Sequence, residues 1–192
     1  MLEESERIKS KSDLREWLLC ERTLYFSDGR RRTLRALFGM SEKAIIFKYQ
    51  MNLRRYEYHL NTGHKVRSVY YHAKANRLGF KYGLHIGPNV CGKGLMIMHL
   101  GSVLINGDAR IGRNCKIHIN VAIVGGGTDK GAPYLGDGVT IGVGATLLGG
   151  IRIADGVGVG AGAVVNKSFD EPGIAIAGVP ARKISNNGSA KW

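Results

Sequence analysis

Residues 105–124 read "INGDARIGRNCKIHINVAIV", and residues 135–165 read "LGDGVTIGVGATLLGGIRIADGVGVGAGAVV". An aliphatic residue returns at every sixth position: Ile105, Ile111, Ile117 and Ile123, then Leu135, Ile141, Leu147, Ile153, Val159 and Val165. The fifth position of each unit is small or apolar as well, as at Ala109, Cys115, Val121, Val139, Ala145, Ile151, Val157 and Ala163. A helix repeats about every 3.6 residues and a strand about every 2, so neither alone keeps this beat. Short strands joined by tight turns do, each strand forming one side of a three-sided coil. The first position then points into the prism, and the fifth needs a small side chain beside it. Stacked coils supply one another's backbone partners and bury one continuous core. The expected fold is a mainly β parallel β-helix. Glycine follows the first position at Gly112, Gly136, Gly142 and Gly160, where it is expected to permit the turn.

Upstream the texture is different. "SDLREWLLCERTLY" places Leu14, Trp17, Leu18, Leu24 and Tyr25 near one helical face, with Ser12 as the expected N-cap. A second helix is expected to open at Ser41 and close at Gly63, with Ile45, Tyr49, Leu53, Tyr56 and Leu60 on its core stripe. A third, ending at Gly79, is expected to bury Val66, Val69, Tyr70 and Ala73. The expected organisation is an α-helical N-terminal region over 1–82, the β-helix over 83–184 and a disordered tail over 185–192.

The 192 residues carry 28 Lys and Arg against 15 Asp and Glu, and the excess is local. Residues 30–81 hold thirteen Lys or Arg and only Glu42 and Glu57, a balance of +11. Such a segment points to an anionic partner (phospholipid headgroups, an acidic glycan, nucleic acid or the phosphates of a cofactor) or to a solvated helical face. Nucleic acid is not expected, because no groove-reading or base-stacking motif accompanies the charge. Three scattered cysteines, Cys20, Cys91 and Cys115, argue against a disulfide framework and a structural zinc site. The N-terminus lacks an apolar signal core and no run of apolar residues is long enough to span a bilayer, so a cytoplasmic protein is expected, with the inner membrane surface as its one membrane contact.

The units "IGRNCK", "IGVGAT" and "VGAGAV", with the closing "IAGVPARKI", resemble the hexapeptide-repeat acyltransferases. That resemblance implies a left-handed β-helix, against the usual crossover hand. "GLMIMHLGSVLI", "INVAIVGGG" and "GVPARKI" are similar to the serine acetyltransferase group, which also carries a helical N-terminal region. The resemblance implies an acetyl-CoA-dependent O-acetyltransferase without a metal, assembled as a homotrimer or a dimer of trimers, with acetyl-CoA in a groove between neighbouring β-helices.

Counting back six from Ile105 gives His99, a histidine at what reads as an aliphatic position, and the resemblance makes it the catalytic base. A neutral imidazole can take the proton of an attacking hydroxyl and return it to the leaving thiolate, while backbone N–H groups steady the oxyanion. The resemblance further assigns coenzyme A contacts to Gly144, Ala145 and Ala163 along the pantetheine arm, and to Lys167, Arg182 and Lys183 at its phosphates. A glycine-rich loop, "GGGTDKGAP", interrupts the repeat around Asp129 and marks the edge of a substrate site.

The acceptor side departs from the serine enzymes. Their acidic residue before the base is here Met98, and their Arg-His pair before a proline is Gly131-Ala132 before Pro133. Their Asp-Ile-His-Pro segment is His85-Ile86-Gly87-Pro88, so the orienting partner of His99 is expected to be His85 or a backbone carbonyl. Loss of a carboxylate clamp and an ammonium partner weakens serine binding. The pattern resembles the branch of serine-acetyltransferase-like proteins of capsule and exopolysaccharide synthesis, which implies a sugar hydroxyl as acceptor. Serine O-acetylation and a non-catalytic scaffold are the alternatives. A zinc carbonic anhydrase of this fold needs three converging histidines; only His85, His99 and His118 lie in the region and no close pair such as H-x4-H accompanies them there, so that class is not expected.

Overall fold

The computed structural model describes residues 1–26, 41–126 and 130–189. A short 3-10 turn, Glu4–Glu6, leads into helix α1 (Lys11–Tyr25), followed by α2 (Glu42–Asn61) and α3 (Lys65–Tyr82). The chain then enters a β-helix, with fourteen strands among the described residues, β1 (Leu84–Ile86) through β14 (Ala181–Ser185). These form three sheets. The first runs through β1, β3 (Val103–Ile105), β6 (Val121–Val124), β9 (Thr146–Leu148) and β12 (Val164–Val165). The second holds β4 (Arg110–Ile111), β7 (Tyr134–Leu135) and β10 (Arg152–Ile153). The third joins β2 (Met96–Ile97), β5 (Lys116–Ile117), β8 (Thr140–Ile141), β11 (Gly158–Val159), β13 (Ala175–Gly178) and β14.

Pairing is parallel from coil to coil, with Ile105 on Ile123, Ile123 on Leu147 and Leu147 on Val165. Among the described residues only β14 returns antiparallel, against β13 at the C-terminal end. The aliphatic first positions from Ile111 to Val165 are wholly buried, as are Ala109, Cys115, Val139, Ala145, Val157 and Ala163 at the fifth. The glycines after the first position have a different cause from the expected one. Gly142 does not adopt a positive φ; a Cβ there would lie 2.7 Å from the Ala161 backbone nitrogen of the next coil. The left-handed residue of the same turn is Gly144, at φ +71°, with open space around it.

A β-helix leaves unpaired backbone groups at its first coil, and the helices satisfy them. The Tyr25 hydroxyl accepts from the Ile97 N–H at 2.8 Å, and Gln50 donates to the Leu95 carbonyl at 2.8 Å. Glu57 accepts the Asn89 N–H at 2.8 Å. At the centre lies Arg54, wholly buried, paired with Glu21 of α1 at 2.7 Å and Glu57 at 2.9 Å. Its remaining donors reach the Cys91 carbonyl at 2.9 Å and the Gly92 carbonyl at 3.0 Å, and its plane stands 4.8 Å from the Trp17 ring.

Several local expectations need correction. The N-cap of α1 is Ser10, whose hydroxyl accepts from the Asp13 N–H while Asp13 accepts from the Ser10 N–H; this reciprocal box outcompetes Ser12. Leu24 stays exposed because Glu21 and Tyr25 take the face toward the β-helix. Helix α2 opens at Ser41 as expected and ends at Thr62 beside Gly63. Helix α3 runs through Gly79 to Tyr82 and stops at Gly83, in left-handed conformation. It buries Ser68, Ala75 and Gly79, not Val66, Val69, Tyr70 and Ala73, which face outward. A Cβ on Gly79 would meet the Leu84 carbonyl, so the helix approaches the first coil along its small residues. Of the tail, Ser189 is buried and its N–H donates to the Gly156 carbonyl at 2.9 Å; residues 190–192 lie outside the described residues.

Replacing Arg54 with Met leaves two buried carboxylates facing two orphaned carbonyls. The expected cost is about 3–5 kcal/mol of unfolding free energy in a denaturant titration, against under ~0.5 kcal/mol for exposed Lys9→Met.

Candidate active site

His99 does not occupy a core position. The register pairs Ile97 with Ile117 and Val103 with Val121, so Ile97 is the inward residue of its strand and Ile105 the next of that series. Eight residues separate them where the later coils use six, and the two extra residues push His99 out into the turn. Its side chain is 57% exposed, which corrects the expectation of a histidine inside the prism. Counting by six succeeds downstream and fails here because the first turn is longer.

The turn lies at the corner between the third and first sheets. The same corner carries His118 on the following coil, then Gly142–Ala145, then Gly160–Ala163, as the backbone ladder shows: the Gly144 N–H donates to the Ile119 carbonyl at 3.0 Å and the Gly162 N–H to the Val143 carbonyl at 2.8 Å. His99 and His118 have ring centroids 6.5 Å apart. Burial holds the His118 imidazole below the ordinary histidine range, with His99 and Lys116 acting in the same direction. Its neutral form is therefore favoured beside His99.

The partner of His99 comes from the helical region. Glu42, the first residue of α2, places Oε2 at 3.3 Å from His99 Nδ1 and accepts the Leu100 N–H on Oε1 at 2.6 Å. Ser41 caps the helix by accepting the Ala44 N–H, which fixes the direction in which Glu42 leaves the helix end. The Leu100 N–H holds the Glu42 carboxyl below the ordinary carboxylate range, partial burial opposes it, and His99 adds to the lowering. A proton on Nδ1 shared with this carboxylate leaves the Nε2 lone pair free for a hydroxyl. Glu42 was missed because nothing local in the sequence ties it to a residue 57 positions away; the one available signal was its rarity, as one of two acids in a strongly basic stretch.

His85 is not that partner. It stands outward on β1 opposite Leu104, against the Phe80 ring at 6.0 Å, and lines a separate cleft of about 260 Å³ with Tyr49, Tyr56 and His72. The reason is alternation along the strand: Leu84 and Ile86 face the core, so His85 faces away from it. Met98 is half-buried, its N–H donating to the Ile117 carbonyl at 2.9 Å, one residue before His99. Asp129 lies outside the described residues. The flanks of its loop leave from the next corner, between the first and second sheets, where the Gly126 N–H donates to the Gly131 carbonyl at 3.3 Å. His99 and this loop thus occupy different corners of one chain.

Gly144 shares the corner of His99 and is open to approach. Ala145 and Ala163 share it as well, but their side chains point inward and are wholly covered, so these two positions offer a ligand only the closeness of the backbone. Lys167, Arg182 and Lys183 are exposed near the C-terminal coils. Lys167 stands 5.4 Å from the Phe169 ring, and Lys183 is paired with Glu171 at 2.6 Å, which leaves Arg182 as the least committed of the three cations. Burial pushes the Cys115 thiol up to about 12 and Cys91 in the same direction, so neither supplies a thiolate nucleophile. Among the described residues no three His, Cys, Asp or Glu side chains come together as metal ligands.

Comparison with known proteins points one way. No family model matches the chain. It is 42% identical over 112 residues to the chloroplastic serine acetyltransferase 1 of Arabidopsis thaliana, covering 57% of this chain and 35% of that protein. It is 32% identical over 156 residues to the serine acetyltransferase of Buchnera aphidicola subsp. Schizaphis graminum, covering 78% of this chain and 55% of that one. The chain thus spans about a third to a half of these relatives' length. Among solved structures, the serine acetyltransferase of Neisseria gonorrhoeae superposes with a TM-score of 0.66 at 26% identity, covering 95% of this chain and 70% of that one. The same protein in complex with serine gives 0.64 at 25%, covering 90% and 69%. The Brucella abortus serine acetyltransferase in complex with coenzyme A gives 0.61 at 23%, covering 91% and 67%, and shares the fold. The fold is the left-handed β-helix of these neighbours, and the chain is serine acetyltransferase-like in sequence and structure.

The lowered Glu42 carboxyl gives a direct reading of this contact. Its stabilisation is present above the ordinary glutamate range and lost as pH falls through the lowered value. The Leu100 amide resonance is expected to titrate with a midpoint below 4.5, the ordinary Glu value, and to stop doing so in Glu42→Ala; an amide indifferent to that titration contradicts the contact.

Proposed function

We propose that this protein is an acetyl-CoA-dependent O-acetyltransferase with His99 as general base and serine as acceptor. The observation that carries the proposal is the His99–Glu42 pair, 3.3 Å apart, on the corner that also holds the open Gly144. The serine acetyltransferase likeness of both sequence and fold supports the acceptor. Nε2 of His99 takes the proton of the acceptor hydroxyl as its oxygen attacks the acetyl carbonyl. The tetrahedral intermediate collapses, the carbon–sulfur bond breaks, and the imidazolium returns the proton to the departing thiolate. Glu42 steadies the imidazolium in between, its charge opposite and its second oxygen anchored on Leu100. No acyl-enzyme is required.

The acetyl donor fits what the chain offers. Gly144 and Gly162 both have left-handed φ and open space where a side chain would be, so a slender arm can run beside the corner. Arg182 and Lys167 are exposed toward the C-terminal end for phosphates, and Met98, one residue before His99, borders the acceptor side. We read the working unit as a homotrimer, because a site using both His99 and the Gly126–Gly131 corner, which lie on different corners of one chain, needs more than one chain.

A specific observation favours a second acceptor. Gly131, Ala132 and Met98 supply no cation for a carboxylate and no acid for an ammonium, which suits a neutral sugar hydroxyl of a polysaccharide or its precursor. Release of thiol from acetyl-CoA, followed with serine and with a panel of oligosaccharides, separates the two. Serine is expected to support turnover, and His99→Ala to lower it by about 10²–10⁴-fold. Turnover with a saccharide alone transfers the acceptor to the second reading. Failure to release thiol with either, or an unimpaired His99→Ala, refutes the catalytic proposal.

A further inference from the structure

Helix α3 is oriented the wrong way round for a helix that uses its apolar stripe to pack. Val66, Val69, Tyr70, Ala73 and Phe80 follow the spacing of a single helical face, yet that face points to solvent. Val66 is 84% exposed, Phe80 75%, Val69 68% and Tyr70 53%. The inward side is made of Ser68, Ala75 and Gly79, whose small size lets the helix lie close on the first coil. The outward stripe reaches from Val66 to Phe80, about 21 Å at the helical rise.

Charge surrounds it. Lys65, Arg67, Lys74, Arg77 and Lys81 all lie on α3 and are exposed, and the helix contains no Asp or Glu. Among the described residues none of the five is in an ion pair; the pairs formed by other cations lie on other elements. Lys74 folds over the Tyr70 ring at 4.4 Å, so cation and aromatic share the same outer surface. On a helical projection Lys65 stands on one side of the apolar arc and Lys74, Arg67 and Lys81 on the other, while Arg77 falls within it.

We propose that α3 is a membrane-docking helix that lies flat on an anionic lipid surface. An apolar arc of this width flanked by unpaired cations matches an interface whose outer layer is negative and whose next layer is hydrocarbon. The alternatives match only half of it. A soluble polyanion neutralises the cations but leaves Val66, Val69 and Phe80 in water. A second copy of the chain buries the apolar residues but sets two cationic helices against each other. The mode is peripheral, since no helix among the described residues is long and apolar enough to cross a bilayer. The proposal stands independently of the acetyl-transfer reading.

The test is co-sedimentation of the full chain with vesicles of equal parts phosphatidylglycerol and phosphatidylcholine, and with phosphatidylcholine alone. The protein is expected to sediment with the anionic vesicles, with partition weakened on the order of tenfold by Lys74→Glu/Arg77→Glu and by added salt. Val66→Ser/Val69→Ser/Phe80→Ser, at exposed positions where folding is not at risk, is expected to weaken it comparably. Circular dichroism and light scattering on each variant establish that fold and oligomeric state are kept. Equal partition onto both vesicle types, or an apolar-stripe variant that binds like the unaltered chain, overturns the proposal. So does an assembly state that drops in the stripe variant without any vesicle binding, which assigns the face to a second copy. Binding to soluble dextran sulfate as strong as to vesicles and indifferent to the stripe variant assigns it to a polyanion.

Discussion

A single buried guanidinium holds the two halves of this protein together. Arg54 carries its charge into the interface between α2 and the first coil, where Glu21 and Glu57 compensate it and the Cys91 and Gly92 carbonyls take its remaining donors. Arginine keeps its charge at any accessible pH, so the site is secure only while every donor has a partner. The need is geometric as much as electrostatic. A β-helix ends in a coil with nothing beneath it, and its unpaired groups require partners of fixed position. Tyr25, Gln50 and Glu57 meet the same need at Ile97, Leu95 and Asn89. The helices act as the missing coil.

That docking sets the chemistry at the other end of α2. With Arg54 fixed against the first coil, the helix start lies over the turn that follows β2, and Glu42 meets His99 and Leu100 together. The β-helix contributes the turn, two residues longer than the regular repeat, that lifts His99 out of the core. The helical region contributes the carboxylate. A histidine that is exposed and oriented from a separate element can face a ligand lying along the corner, where Gly144 and Gly162 leave room.

The repeat from Ile105 onward was readable in the sequence because every coil repeats one steric requirement, an inward aliphatic beside an inward small residue. The N-cap at Ser41 was readable because capping is local. His99 was placed at the wrong depth, since the count by six cannot register a two-residue insertion that preserves no pattern of its own. The apolar residues of α3 were read as core because amphipathic spacing reports a face without saying which way it points; the small residues Ser68, Ala75 and Gly79 decided that, through how closely the backbone can approach. Ala145 and Ala163 carried two meanings at once, small enough for a neighbouring ligand and small enough for the prism, and packing took the side chains inward. Glu42 was out of reach because its contact depends on the docking of whole elements.

The central claim is that Glu42 acts through His99, and a double-mutant cycle on the acetyl-transfer rate addresses it most directly. Glu42→Gln, His99→Ala and the double variant are compared with the unaltered chain under saturating acetyl-CoA. If the carboxylate serves the imidazole, the Glu42 substitution lowers kcat in the native background and has no further effect once His99 is gone. Independent, multiplicative losses contradict the account, and place Glu42 in the fold or on the acceptor instead of behind the base.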